Sequence, residues 1–207
     1  MYVTEDYINL THRCPVLIFH IANIFLNITQ TFKYQVFTLI ILGVAMLRIG
    51  ILSSTRATDM EAIVSAIKEK KLNAVISVVI SNKADSYALE RAKNHNIKAV
   101  FIDFKNKERE DYDKEIAKVL EQNNVDLILL IGYMKFLSPS FVNKYKNRIM
   151  NIHPSLLPKY AGGMDKDVHA EVLKNKESVT GATLHFVDEG ADTGPIILQK
   201  EVKIENS

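Results

Sequence analysis

From Leu47 onward the apolar residues alternate between a strand period and a helix period, and this alternation restricts the fold more than any other feature. Arg48-Ile49-Gly50-Ile51-Leu52-Ser53 is a short apolar run of buried-strand type. The next segment, Met60 to Lys71, places Met60, Ile63, Val64 and Ile67 on one helical face, with Thr58 or Asp59 as its cap. Ala74 to Ser81 is rich in Val and Ile and reads as a strand. A helix over Asp85 to Asn94, a strand over Lys98 to Asp103 and a charged amphipathic helix over Glu108 to Gln122 follow. That last helix turns Tyr112, Ile116, Val119 and Leu120 inward. Val125 to Gly132 is almost wholly apolar, as a strand covered on both faces must be. The pattern predicts an α/β fold: a Rossmann-like open, mostly parallel sheet with helices on both faces. Ligands in such sheets bind outside the carboxyl ends of the strands. Ser53 to Asp59, Ser81-Asn82, Gly132 to Leu137 and Asn151 to His153 all fall at or just after predicted strand ends.

The remaining elements are a strand at Arg148-Ile149-Met150, a helix over Asp165 to Asn175, and strands over Thr180 to Val187 and Pro195 to Ile204. Residues 1–45 differ. Two apolar blocks, Pro15 to Ile28 and Val36 to Leu47, flank a polar gap. Each is shorter than the roughly 20 apolar residues a membrane-spanning helix needs. With Glu5 and Asp6 and no basic cluster, the start is a poor secretory signal. The expected organisation is a hydrophobic N-terminal extension over 1–45, outside the catalytic domain, followed by that domain over 46–207.

A net charge of +2, from 26 basic and 24 acidic residues, supplies no field for nucleic acid. The single cysteine, Cys14, excludes an internal disulfide and fits a reducing compartment. It lies between His12 and His20 without a fourth ligand at metal-site spacing, so no metal is expected.

Chemistry concentrates in two stretches. Asn151-Ile152-His153-Pro154 sets a carboxamide and an imidazole two residues apart, on one face of a strand, before Pro154 and Pro158 end it. An amide N–H can stabilise an oxyanion, and a histidine can move a proton near neutral pH. A strand edge with a satisfied histidine accounts for the same short pattern. The second stretch, His185 to Pro195, holds Asp188, Glu189, Asp192 and two glycines. Asp192-Thr193-Gly194-Pro195 is good turn chemistry without any function. His185, on an alternating strand, suits a buried satisfied position as well as an active-site one.

Taken with Ser81-Asn82-Lys83-Ala84-Asp85 and Gly132 to Pro139, the two stretches resemble the folate-dependent formyltransferases, and among them the phosphoribosylglycinamide formyltransferases, from about Met46 to about Val202. The resemblance implies transfer of a formyl group from 10-formyltetrahydrofolate to the amine of glycinamide ribonucleotide, in the cytoplasm, without a metal. It implies Asn151, His153 and Asp192 as catalytic residues. Met134, Lys135, Phe136, Leu137, Val187, Asp188 and Glu189 would form the folate side, although core packing is the commoner role for such an apolar strip. Ala57, Thr58 and Asp59 would face the substrate phosphate. Here the chain departs from the family, with Ala57 where glycine is usual and Asp59 where asparagine is usual. The family also continues into a helical segment beyond the last strand, so a C-terminally shortened domain is expected. The rival readings are a formyltetrahydrofolate hydrolase, the methionyl-tRNA formyltransferase, and a folate-binding remnant without catalysis.

Overall fold

A computed structural model describes residues 46–163 and 165–204; the side chains of residues 165–167 are not described. The expectation for residues 1–45 lies outside the described residues. Two compact units are present: residues 47–57 with 75–204, and Met46 with 58–74.

The larger unit carries a seven-stranded sheet. Its strands are β1 (Leu47–Ser53), β2 (Ala74–Ser81), β3 (Ala99–Phe101), β4 (Leu127–Leu130), β5 (Ile149–His153), β6 (Val179–Phe186) and β7 (Ile196–Lys203). The order across the sheet is β3-β2-β1-β4-β5-β6-β7. β1 with β4, β2 with β3 and β4 with β5 pair in parallel, whereas β5 with β6 and β6 with β7 pair antiparallel. This is the mostly parallel open sheet expected from the alternation. All four residues of β4 are buried, which explains why its sequence carries no polar position. β7, at an edge, alternates between exposed and half-buried positions over most of its length.

Helices α2 (Tyr87–Asn94), α3 (Arg109–Gln122), α4 (Pro139–Lys144) and α5 (Asp165–Lys174) belong to the same unit. Leu52, Val78, Ile80, Ile128 and Leu130 of the sheet share one core with Tyr112, Ile116 and Leu120 of α3 and Phe141 of α4. Each fully buried side chain of this size contributes about 1.5–3 kcal/mol. Val119, expected to face inward, packs only partly buried at the margin of that core. In the smaller unit α1 (Met60–Lys68) buries Met60, Ile63, Val64 and Ala66. It ends before Lys71 because Lys70 takes a left-handed backbone, φ 58°.

Other boundaries moved for identifiable reasons. Asp59 occupies the N-cap position of α1 but makes no side-chain capping bond, because its own backbone is already helical. α2 begins at Tyr87 rather than Asp85, since Ser86 is extended and donates its hydroxyl to the Thr55 carbonyl at 2.7 Å. β3 is three residues long instead of six. The helix α4 went unread in the sequence. Its signal was Ser138-Pro139, a capping serine followed by proline at N1: Ser138 Oγ accepts from the Phe141 N–H at 3.3 Å.

Asp113 links α3 to that cap, accepting the Ser138 N–H at 2.6 Å while only 2% exposed. Burial raises its carboxyl above the ordinary range, against the opposing effect of the Ser138 hydrogen bonds. An acid raised in the folded state contributes fully below its unfolded value of about 4 and loses that contribution as pH rises through the folded value. Asp113→Asn keeps an acceptor for Ser138 and removes the buried charge. Its melting temperature relative to the parent protein should therefore climb as pH rises from about 4; a flat or falling difference in calorimetry would contradict the assignment.

Candidate active site

β5 runs Ile149–His153 and so carries the Asn-x-His pair within the strand, two residues apart on one face. Its antiparallel pairing with β6 sets Asn151 opposite His185 and His153 opposite Thr183. The β6–β7 turn brings Asp192 to the same place with a left-handed backbone, φ 56°, which aspartate tolerates better than most residues. Side-chain brackets shape that turn. Asp188 Oδ1 accepts the Gly190 N–H at 3.1 Å and the Thr193 hydroxyl at 2.7 Å, and Asn143 Nδ2 donates to Glu189 Oε1 at 2.9 Å.

Asp192 is the hub. Asn151 Nδ2 donates to its Oδ1 at 3.2 Å, and the Gly162 N–H donates to its Oδ2 at 3.0 Å. His153 Nδ1 lies 3.1 Å from Oδ2, and His185 Nε2 lies 3.4 Å from Oδ1. Burial by itself would raise this carboxyl. The hydrogen bonds of His153 and His185, the His153 charge and the Gly162 N–H outweigh burial and hold it well below the usual carboxylate range. The site therefore keeps a fixed anion beneath two imidazoles. His153 is 2% exposed, and its Nε2 donates to the Tyr160 carbonyl at 3.0 Å. His185, also 2% exposed, donates from Nδ1 to the Phe186 carbonyl at 2.8 Å, with its Nε2 3.2 Å from Asn151 Nδ2.

Three residues singled out in the sequence thus meet at hydrogen-bond distance. His185 joins them, a role that only the strand register distinguishes from core filling. Tyr160 and Gly162 were not singled out; both carry positive φ, 61° and 76°, and only the Gly162 signal was visible in advance.

The folate-side residues are arranged unevenly. Leu137 and Val187 pack against the one core cluster, and Phe136 is 62% exposed. Lys135 Nζ sits 4.0 Å from the Phe104 ring centroid. The Met134 N–H donates to Ser54 Oγ at 2.8 Å, and the Ser54 N–H donates to the Gly132 carbonyl at 2.9 Å. These bonds join the loop after β1 to the segment after β4. Gly132 is required there: φ is +59°, and a Cβ would meet Thr55 Oγ1. Of the phosphate-side candidates, Ala57 is buried with φ 46° in the larger unit, while Thr58 and Asp59 belong to the smaller one. Among the described residues no cluster of three or more His, Cys, Asp or Glu is placed to hold a metal ion, and no helix is long and apolar enough to cross a membrane.

Comparison with known proteins shows the family. Residues 47–207 match the family model described as Formyl transferase. Phosphoribosylglycinamide formyltransferase of Escherichia coli K12 is 38% identical over 163 residues, covering 76% of this chain and 74% of that protein. A Trifunctional purine biosynthetic protein adenosine-3 of Chironomus tentans is 36% identical over 196 residues, 93% of this chain but 13% of its own length. The crystal structure of glycinamide ribonucleotide transformylase 1 from Symbiobacterium toebii superposes with a TM-score of 0.74 at 38% identity, covering 78% of this chain and 75% of that one. The chain belongs to the formyl transferase family, among the phosphoribosylglycinamide formyltransferases.

Proposed function

We propose that this protein transfers the formyl group of 10-formyltetrahydrofolate to the primary amine of glycinamide ribonucleotide, in the cytoplasm, as a step of purine synthesis. The convergence of Asn151 and His153 on the Asp192 carboxylate carries the reading. The amine nitrogen attacks the formyl carbon, the carbonyl electrons move onto oxygen, and the bond from that carbon to the folate nitrogen then breaks. One proton leaves the amine and one reaches the departing nitrogen. Asn151 supplies the oxyanion donor through Nδ2. His153 meets the formyl oxygen through Nε2. Asp192 orients His153 and, as a fixed anion, assists removal of the amine proton by water.

Met134, Lys135, Phe136, Leu137, Val187, Asp188 and Glu189 hold the folate. The fit of a flat heteroaromatic group is supported by a large apolar side chain, Phe136, left 62% exposed next to half-buried Met134 and Leu137. The turn's backbone groups provide polar recognition. Ala57, Thr58 and Asp59 are the proposed phosphate-side residues, with the Thr58 hydroxyl as a donor. Both substrates are small molecules, and no nucleic-acid partner or metal is part of the reading.

The test is turnover by the full chain, followed as tetrahydrofolate release with and without glycinamide ribonucleotide. Release that depends on the ribonucleotide is expected. Equal release in its absence would replace the transferase with a hydrolase, and no release at all would leave a folate-binding protein without catalysis.

A further inference from the structure

Both ring nitrogens of His153 are engaged within the chain, Nδ1 by Asp192 at 3.1 Å and Nε2 by the Tyr160 carbonyl at 3.0 Å. The Asp192 contact is part of the constellation itself. A substrate oxygen therefore reaches the imidazole only by displacing the Tyr160 carbonyl, one carbonyl acceptor exchanged for another. That carbonyl also accepts the Gly163 N–H at 3.2 Å, and the neighbouring Gly162 N–H donates to Asp192 Oδ2 at 3.0 Å, while the Tyr160 side chain is held by contacts farther from the site. Tyr160 OH donates to Glu177 Oε1 at 3.2 Å and accepts from Asn175 Nδ2 at 3.0 Å. Lys159 Nζ lies 3.0 and 3.1 Å from the two Glu177 oxygens, and Ser155 Oγ donates to the Lys159 carbonyl. Tyr160 itself is a non-glycine residue at φ 61°, a backbone state that persists where its surroundings impose it.

We propose that Tyr160 and Glu177 form a latch that seats the Tyr160 carbonyl on His153 Nε2, and that this latch sets the affinity for the formyl donor by competing with its carbonyl oxygen. The inference rests on the reading of His153 as the group that meets that oxygen. The latch bonds exist only in the closed arrangement. Weakening them raises the open fraction, and apparent affinity improves in proportion, because a ligand's observed dissociation constant is its intrinsic one divided by the competent fraction. One net hydrogen bond corresponds to a factor of about three to ten. The Lys159–Glu177 ion pair, with Lys159 63% exposed, adds little to this.

Kinetics of the full chain decide the matter. Tyr160→Phe and Glu177→Ala should each lower the KM for 10-formyltetrahydrofolate by about three- to tenfold with kcat within about twofold of the parent. Lys159→Met should leave the KM unchanged. Damage to the fold would raise KM or lower kcat, so a KM unchanged or raised in both latch variants overturns the proposal. A second readout does not need turnover. Nitrogen-15 NMR of the substrate-free protein should show an exchange-protected His153 Nε2–H whose exchange is about three- to tenfold faster in Tyr160→Phe. Its absence from the parent, or an unchanged exchange rate in the variant, also overturns the latch. That readout is unaffected if the transferase reading fails, so the two failures are told apart.

Discussion

Asp192→Asn should lower kcat by about 10²- to 10⁴-fold, the range for loss of one positioned proton-transfer group, while leaving the KM for 10-formyltetrahydrofolate within about threefold. The carboxylate gathers Asn151, His153, His185 and the Gly162 N–H around two oxygens. An amide of the same shape keeps one oxygen and turns an N–H₂ group toward the other set of donors. The Asn151 amide and the imidazoles would then lose their common anchor, whereas the proposed folate strip after β4 would be untouched. The variant also carries a stability signature. A carboxyl lowered in the folded state contributes above its unfolded value of about 4, and loses that contribution as pH falls below it toward the folded value. The parent's stability advantage over Asp192→Asn should therefore shrink as acid is added from pH 5 downward, the reverse of the trend expected for Asp113→Asn. Steady-state kinetics and acid titration of unfolding measure the two effects. Parent-like turnover in the variant would remove Asp192 from the mechanism.

Gly194→Ala should destabilise the protein by about 3 kcal/mol or more, the size of effect reserved for severe steric conflict. A Cβ at this position would lie 1.8 Å from the Phe186 carbonyl oxygen and 2.8 Å from its carbon, both backbone atoms of β6. Neither can rotate away, so the turn must shift. The adjacent Phe186 N–H to Pro195 carbonyl bond, 2.9 Å, would be strained with it. Because Asp192 lies two residues earlier, turnover should fall as well. For a domain of this size the loss corresponds to a drop of about 10 °C in Tm. Gly190→Ala is the comparison. Its Cβ would meet Thr193 Oγ1 at 2.1 Å, the end of a side chain that can turn, so a smaller loss is expected. Equal unfolding midpoints for the two variants in urea would refute the argument.

The sequence by itself determined the kinds and order of the described strands and of the described helices other than α4. Apolar periodicity is a local property, and it is written into residues such as the uninterrupted run of β4. It also determined the chemical inventory of the candidate site, because Asn151-x-His153 and the Asp188–Pro195 turn are contiguous stretches whose residue types limit what they can do. Boundaries were less legible. β3 is cut to three residues and α2 starts late because their limits depend on partners elsewhere, such as the Thr55 carbonyl that takes the Ser86 hydroxyl. Only the tertiary structure decided which side chains meet. His185 belongs to the site because the β5–β6 register sets it opposite Asn151, 34 residues away. Tyr160 matters through a carbonyl every residue possesses, aimed at His153 by a backbone angle that Lys159-Tyr160-Ala161 does not advertise. Long-range pairing and strained dihedrals arise from the sum of many contacts, so they leave no local pattern from which to read them.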